Sequence, residues 1–234
     1  IGEALAHKYA AEGAKVMIGA RNIENLKRVA EDVKAKGGSI DYLQMDVSKE
    51  SDCKNLILKA IDTYGRLDVL INNAGVSMRA LFINVELKVL KHLMDINFWG
   101  TVYCTKYALP YIIESKGSVV GIASAAGLKG LPARTGYSAS KFAMSGFMES
   151  IRIENLKKKV HVLMAFPGFT TSNIRNTALV ADGSTQGESP RNEDDMMSAE
   201  AVAAHIYKAV LKRKNKLVLT KEGILINLIN EEFV

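Results

Sequence analysis

Short apolar runs alternate with helix-periodic stretches along the whole chain, and this alternation limits the fold more than any other feature. Residues 14–20 (AKVMIGA), 39–45, 67–71 (LDVLI), 118–123 (SVVGIA), 160–166 (VHVLMAF) and 217–220 read as strands. Between them, 2–12, 23–36, 48–64, 86–114, 136–158 and 198–213 carry apolar residues at helical spacing, as in Leu26, Val29, Ala30 and Val33. Gly13, Gly37-Gly38 and Pro167-Gly168 mark ends of elements. Ser48 predicts a helix N-cap, and Pro110 predicts a break in the 86–114 helix. Strands separated by helices pair in parallel through crossovers, which predicts an α/β fold: a doubly wound parallel sheet between two helical layers. Strands nearly continuous in apolar residues fit a sheet covered on both faces.

The 234 residues suit one domain, and 48% hydrophobic with 24% charged residues excludes a mainly disordered chain. Even the apolar segment 224–229 is too short to span a bilayer as a helix. Cys53 and Cys104 make no disulfide framework and fit a reducing, cytoplasmic setting. His7, His92, His161 and His205 show no metal-ligand spacing, so no metal is expected. The net charge of +6 fits an anionic partner or simply a solvated surface. Its largest runs, Lys157-Lys158-Lys159 and Lys212-Arg213-Lys214, fall at predicted helix C-termini, where cations complement the helix dipole. No nucleic-acid partner is expected. Only 170–197 is polar and aperiodic. Following a strand end, it reads as a mobile lid over a pocket, because ligands of such sheets bind beyond the carboxyl ends of the strands.

Those strand ends carry the chemistry. Tyr137 and Lys141 lie four apart, one turn along one helix face. A lysine ammonium beside a phenol favours the phenolate, so the tyrosine can exchange a proton near neutral pH. Ser124 closes the strand 118–123, placing a hydroxyl in the same crevice. Asn97 sits inside the 86–114 helix, where Asn is locally unfavourable. It is either an exposed helix residue or a polar group held to bind water or backbone. Asn72-Asn73-Ala74-Gly75, Asp46-Val47 and Pro167-Gly168 end three further strands with small or polar residues suited to a ligand stretched across the sheet edge.

Taken in order, these motifs resemble the short-chain dehydrogenase/reductase family in its short single-domain form, over essentially all of 1–234. The resemblance implies a Rossmann-type fold and an NADP-dependent oxidoreductase that interconverts a carbonyl and an alcohol by hydride transfer. Tyr137 would be general acid in reduction and base in oxidation. Lys141 would lower its pKa and hold the nicotinamide ribose, Ser124 would orient the substrate oxygen, and Asn97 would anchor a water in a proton relay. Gly2, Asp46, Val47, Asn72, Asn73, Ala74 and Gly75 would line the cofactor. Pro167, Gly168, Thr170 and Ser172 would hold its nicotinamide end; the family often has Thr where Ser172 stands. Arg21 stands where an NAD-preferring dinucleotide fold places an acid. An Arg there pairs with a 2′-phosphate, so NADP (NADPH) is favoured over NAD.

The family opens with a strand and a Gly-rich turn, whereas this chain starts at what matches the last residues of that turn, Ile1-Gly2. The expectation is a piece of a longer protein whose sheet lacks its central first strand, leaving backbone groups exposed in its middle. The resemblance places Val76, Ser77, Ala125, Leu131 and Phe169 around the pocket, which fits an apolar ketone, aldehyde or secondary alcohol. Arg134 is expected to be solvated at the rim. The apolar 224–229 segment reads as a terminal helix. Phe98, Trp99, Phe142, Phe147 and Met148 lie on the two helices that family members use to form homodimers and homotetramers. The alternative function is a non-catalytic dinucleotide-binding sensor or scaffold.

Overall fold

The computed structural model describes residues 1–187 and 196–219. The chain runs α1 (Gly2–Ala11), β1 (Lys15–Ala20), α2 (Ile23–Ala35), β2 (Ser39–Gln44), α3 (Glu50–Tyr64) and β3 (Val69–Asn72). It continues α4 (Leu87–Met94), α5 (Gly100–Ser115), β4 (Ser118–Ile122), α6 (Thr135–Glu154), β5 (His161–Phe166), α7 (Ala199–Leu211) and β6 (Lys216–Val218). The expected apolar terminal helix lies outside the described residues, as do 188–195 of the expected lid.

Local chemistry explains most boundaries. The Asn22 side chain accepts from Asn25 N at 2.9 Å and starts α2, which buries the stripe Leu26, Val29, Ala30 and Val33. Gly65, at φ 77°, takes the left-handed position that ends α3. Three expectations need correction. Ser48 does not cap α3, because Asp46 Oδ1 accepts from both its backbone N (3.0 Å) and its hydroxyl (2.8 Å) before the helix begins. Pro110 does not break the long helix; it stays inside α5. Pro110 and Lys106, whose carbonyl loses its helical donor, both face solvent, where water satisfies that oxygen. The irregularity falls instead at Asp95–Trp99, a π-helical turn between α4 and α5. Lastly, α6 ends at Glu154, where the Asn155 amide donates back to Ile151 O, and a separate short turn follows at Leu156–Lys158.

Every strand pairing is parallel. β3, β4, β5 and β6 form one sheet in that order, in registers such as Val69↔Ser118 and Ser118↔His161. β1 and β2 form a second, two-stranded sheet. The strands of the larger sheet are covered on both faces. Val119, Val162 and Met164 meet Ile57 of α3, Ile112 of α5 and Met148 of α6, while Val120, Leu163 and Ala165 meet Leu5 of α1 and Ile206 of α7. This is the expected three-layer αβα arrangement.

The two sheets do not join. Among the described residues no strand stands between β1 and β3, and each keeps one edge unpaired. Both line a cavity of about 920 Å³ that also takes in Gly2, Leu5 and Tyr9 of α1 and reaches Gly75 beyond β3. The Tyr9 hydroxyl is buried there without a hydrogen-bond partner.

Candidate active site

The carboxyl ends of β3, β4 and β5 carry the residues singled out from the sequence. β3 runs into Asn73-Ala74-Gly75. The neighbouring Asn72 points into the layer above: its amide donates to Thr105 Oγ1 of α5 at 3.1 Å, so it braces sheet to helix. Asn73 turns toward Gly2, where an added Cβ would stand 2.6 Å from Asn73 Nδ2. At Gly75 a Cβ would lie 3.2 Å from Asn97 Oδ1 and 3.3 Å from Lys141 Nζ. Only glycine leaves the backbone open at that point.

Asn97 is fully buried in the π turn, not exposed. Its Nδ2 donates to Val76 O (2.9 Å) and to Ser140 Oγ (2.8 Å), and its Oδ1 accepts from Val76 N at 2.8 Å. Ser140 Oγ in turn donates to Tyr137 O at 2.8 Å. The amide therefore ties the loop after β3 to the helix that carries the tyrosine. Both its N–H groups are engaged, so a relay water would have to use an oxygen of Asn97. A π turn widens the helix where such a tie is needed.

Ser124 stands two residues beyond β4, and its extended backbone (φ −166°) leads into a short turn that Gly127 packs onto Lys141. The Ser124 hydroxyl accepts from Ala126 N at 3.3 Å and lies close enough to the Tyr137 side chain to favour its phenolate. Lys141 is buried and donates from Nζ to Ile122 O at 2.8 Å, with Nζ 5.9 Å from the centre of the Tyr137 ring. Burial lowers the Lys141 ammonium to about 8. Burial also pushes the Tyr137 phenol above its ordinary range, and Ser124 and the Arg134 charge only partly oppose this. The expected depression of the tyrosine by Lys141 does not appear. The ammonium is directed at the Ile122 carbonyl, and Tyr137 sits among Met78, Val89, Leu93 and Ala126. This is a pocket dominated by desolvation.

Arg134 also departs from expectation. It is half-buried and donates to Ser77 Oγ (2.7 Å) and Met78 O (2.6 Å). It clamps the pocket wall after β3 to the start of α6. Ser140 and the Ile122 carbonyl were missed as site residues, whereas Arg134 was expected at the rim but not as a clamp. Only Ser140 left a signal, lying between Tyr137 and Lys141.

The cofactor side is built more loosely. Arg21 follows β1 and is exposed; its carbonyl accepts from Gln44 Nε2 at 2.9 Å. Burial raises the Asp46 carboxyl, but the Ser48 donors and the Arg21 charge outweigh it, and its pKa falls below the ordinary value. Val47 packs on Gly100, where a Cβ would stand 2.9 Å from Val47 Cβ. Gly2, Arg21, Asp46, Val47, Asn73, Ala74 and Gly75 all line the 920 Å³ cavity. Most of that cavity is the gap between β1 and β3, so its volume does not measure a ligand site; its carboxyl end, edged by Gly2, Gly75 and Arg21, has the exposed backbone and the cation that a dinucleotide phosphate would meet.

After β5, Pro167 is buried, and Thr170 Oγ1 donates to Gly168 O at 3.1 Å. Arg175 holds Thr170 O at 3.0 Å, while Ser172 is half-buried. The described part of the lid is stitched down. Leu179 N donates to Ser77 O (2.8 Å), Leu179 O accepts from Arg79 N (2.7 Å), and Ala181 O accepts from Glu86 N (2.9 Å). In this conformation it lies docked against the loop after β3 and the start of α4. Among the described residues there is no cluster of possible metal ligands, and no helix long and apolar enough to cross a membrane.

Comparison with known proteins places this geometry. A family model described as short chain dehydrogenase matches residues 1–181. An 11-beta-hydroxysteroid dehydrogenase-like 2 protein of Arabidopsis thaliana is 40% identical over 176 residues, which are 74% of this chain and 57% of that protein. A dehydrogenase/reductase SDR family protein 7-like of Drosophila melanogaster is 30% identical over 225 residues, 94% of this chain and 69% of that one. The chain thus spans little more than half the length of the plant relative. In structure it is similar to a Burkholderia phymatum short chain dehydrogenase/reductase in complex with NAD (TM-score 0.87, 21% identity, 99% of this chain and 89% of that one). It is also similar to a Thermococcus sibiricus alcohol dehydrogenase complexed with 5-hydroxy-NADP (TM-score 0.81, 22% identity, 93% and 90%).

Proposed function

The chain belongs to the short-chain dehydrogenase/reductase family, and from that premise we propose that it is an NADP-dependent oxidoreductase interconverting an apolar ketone or aldehyde and its alcohol. One observation carries the reading: Ser124, Asn97 and the α6 pair Tyr137 and Lys141 come from three separate stretches of chain to one place, with Ser124 and Lys141 flanking Tyr137 and Asn97 tied to its backbone through Ser140. The bound dinucleotide supplies the hydride. Ser124 binds the substrate oxygen beside the Tyr137 hydroxyl, which donates its proton in reduction and recovers it in oxidation. Lys141, lowered to about 8, exchanges protons near physiological pH and replenishes the phenol. Its ammonium lies against Gly75, where the nicotinamide ribose would approach. Pro167, Gly168, Thr170 and Ser172 would hold the nicotinamide end.

The substrate pocket is apolar. Val76, Met78, Val85 and Leu179 pack with Tyr137 in one apolar cluster, and Leu131 and Phe169 remain exposed. Such a cluster suits a rigid hydrophobic carbonyl compound, and the hydroxysteroid dehydrogenase-like relatives point the same way. Trp99 and Phe142 remain exposed on the helices expected to build a homodimer or homotetramer, which supports assembly as part of this reading.

The test is a panel of apolar ketones and alcohols with NADPH and with NADH, on wild type and on Tyr137→Phe. NADPH consumption falling by about 10²-fold or more in the variant supports the reading. Tight NADPH binding without turnover on any substrate would replace it with a sensor or scaffold.

A further inference from the structure

Beyond the active site, the two lysine-rich runs of the sequence, 55 positions apart, come together in space. α6 and α7 flank opposite faces of the larger sheet, and both finish at its amino edge, where β5 and β6 begin. Lys157, Lys158 and Lys159 follow α6, Lys212 and Lys214 follow α7, and Lys116 follows α5. All six are exposed. Arg213 joins the three loops, donating to Lys116 O at 3.2 Å and to Lys159 O at 2.6 Å. Elsewhere on the surface many basic residues are paired with acids, for example Arg28 with Glu3 and Arg66 with Asp68. Among the described residues none of these six lysines forms an ion pair, although Glu114 and Glu154 are exposed in the same region.

Two further features accompany the lysines at this edge. Lys116 (φ 51°), Lys159 (φ 60°) and Arg213 (φ 48°) all adopt left-handed backbone, a position that favours glycine. Long basic side chains stand at all three. In addition, large aliphatic side chains lie exposed beside the lysines: Ile153 (57% exposed), Leu156 (54%) and Leu211 (65%). Helix-dipole complementarity accounts for a cation at each helix end. It does not account for aliphatic side chains left in water among them.

We infer that the amino edge of the sheet is a docking surface for an anionic lipid bilayer. Clustered lysines are attracted to acidic headgroups, and each adds to the binding. Aliphatic side chains among the lysines gain by entering the acyl boundary. A nucleic acid or acidic protein surface would reward the charge, but a phosphate backbone offers nothing to Ile153, Leu156 and Leu211. Docking is peripheral, and it leaves the carboxyl edge with Ser124 and Asn73 facing the solution.

The test is co-sedimentation of the protein with vesicles of phosphatidylcholine alone or mixed with phosphatidylserine, beside a duplex-DNA binding assay at the same salt. The expected result is binding to the mixed vesicles only, lost as salt rises. Paired Lys157→Gln and Lys158→Gln should weaken it roughly tenfold or more, and paired Lys88→Gln and Lys91→Gln on α4 should not. Paired Ile153→Ser and Leu156→Ser, which keep every charge, should also weaken vesicle binding. All three variants should keep wild-type circular dichroism and turnover of a small water-soluble ketone. Three outcomes overturn the inference: no preference for acidic vesicles, equal loss from the α4 pair, or duplex binding that the serine pair leaves intact while vesicles are ignored. Loss of ketone turnover in wild type would bear on the proposed enzyme alone.

Discussion

Replacing Lys141 with Met should stabilise the protein while abolishing its activity, and the gain should shrink as pH rises. Lys141 is 3% exposed, and burial lowers its pKa from the ordinary 10.5 to about 8. The folded protein therefore releases this proton first. Between about pH 8 and 10.5 the unfolded chain holds more protons, so the wild type gains stability as pH rises through that window. Below it the ammonium stays buried at a penalty of about 3 kcal/mol, from some 2.5 pKa steps at about 1.4 kcal/mol each. Methionine has similar reach and no charge, but it leaves the Ile122 carbonyl without its 2.8 Å donor, a loss of about 1–3 kcal/mol at any pH. The constant term cancels when two pH values are compared. Urea unfolding of both proteins at pH 7 and pH 10 should show the variant's relative stability falling by roughly 2–3 kcal/mol between them. An unchanged difference would mean that Lys141 titrates normally, and the desolvated site described above would be wrong.

Three further substitutions probe separate parts of the site. Asn97→Ala should cost about 3 kcal/mol or more, read as a lower urea midpoint, because it strips partners from Val76 N–H, Val76 C=O and Ser140. Gly75→Ala places a methyl 3.2–3.3 Å from two anchored side chains. It should destabilise by about 1–3 kcal/mol and weaken dinucleotide binding in calorimetry. Arg21→Ala should raise KM for NADPH by about tenfold or more with little change for NADH; equal effects on both would remove Arg21 from 2′-phosphate recognition.

How much could be read in advance depended on the range of the interaction. The six strands and their parallel pairing were legible because hydrophobic period and the stops at Gly13 and Gly37-Gly38 act within a few residues. The Tyr137–Lys141 pair was legible for the same reason. The Ser48 and Pro110 expectations failed where a local preference met a stronger competitor: the Asp46 turn in one case, a solvent-facing carbonyl in the other. Asn97 drew notice only as an Asn where a helix disfavours it, and its three partners, 21 and 43 positions away, could not be read from that.

The sequence by itself determined the element order and the all-parallel layering and singled out Tyr137, Lys141 and Ser124 as candidate site residues, since each is written in short-range pattern. Tertiary structure alone decided that burial raises Tyr137 and lowers Lys141, that Arg134 clamps a wall, and that two distant lysine runs share one edge. These depend on desolvation and on contacts between remote segments. Both are set by the surroundings after folding rather than by the neighbours along the chain.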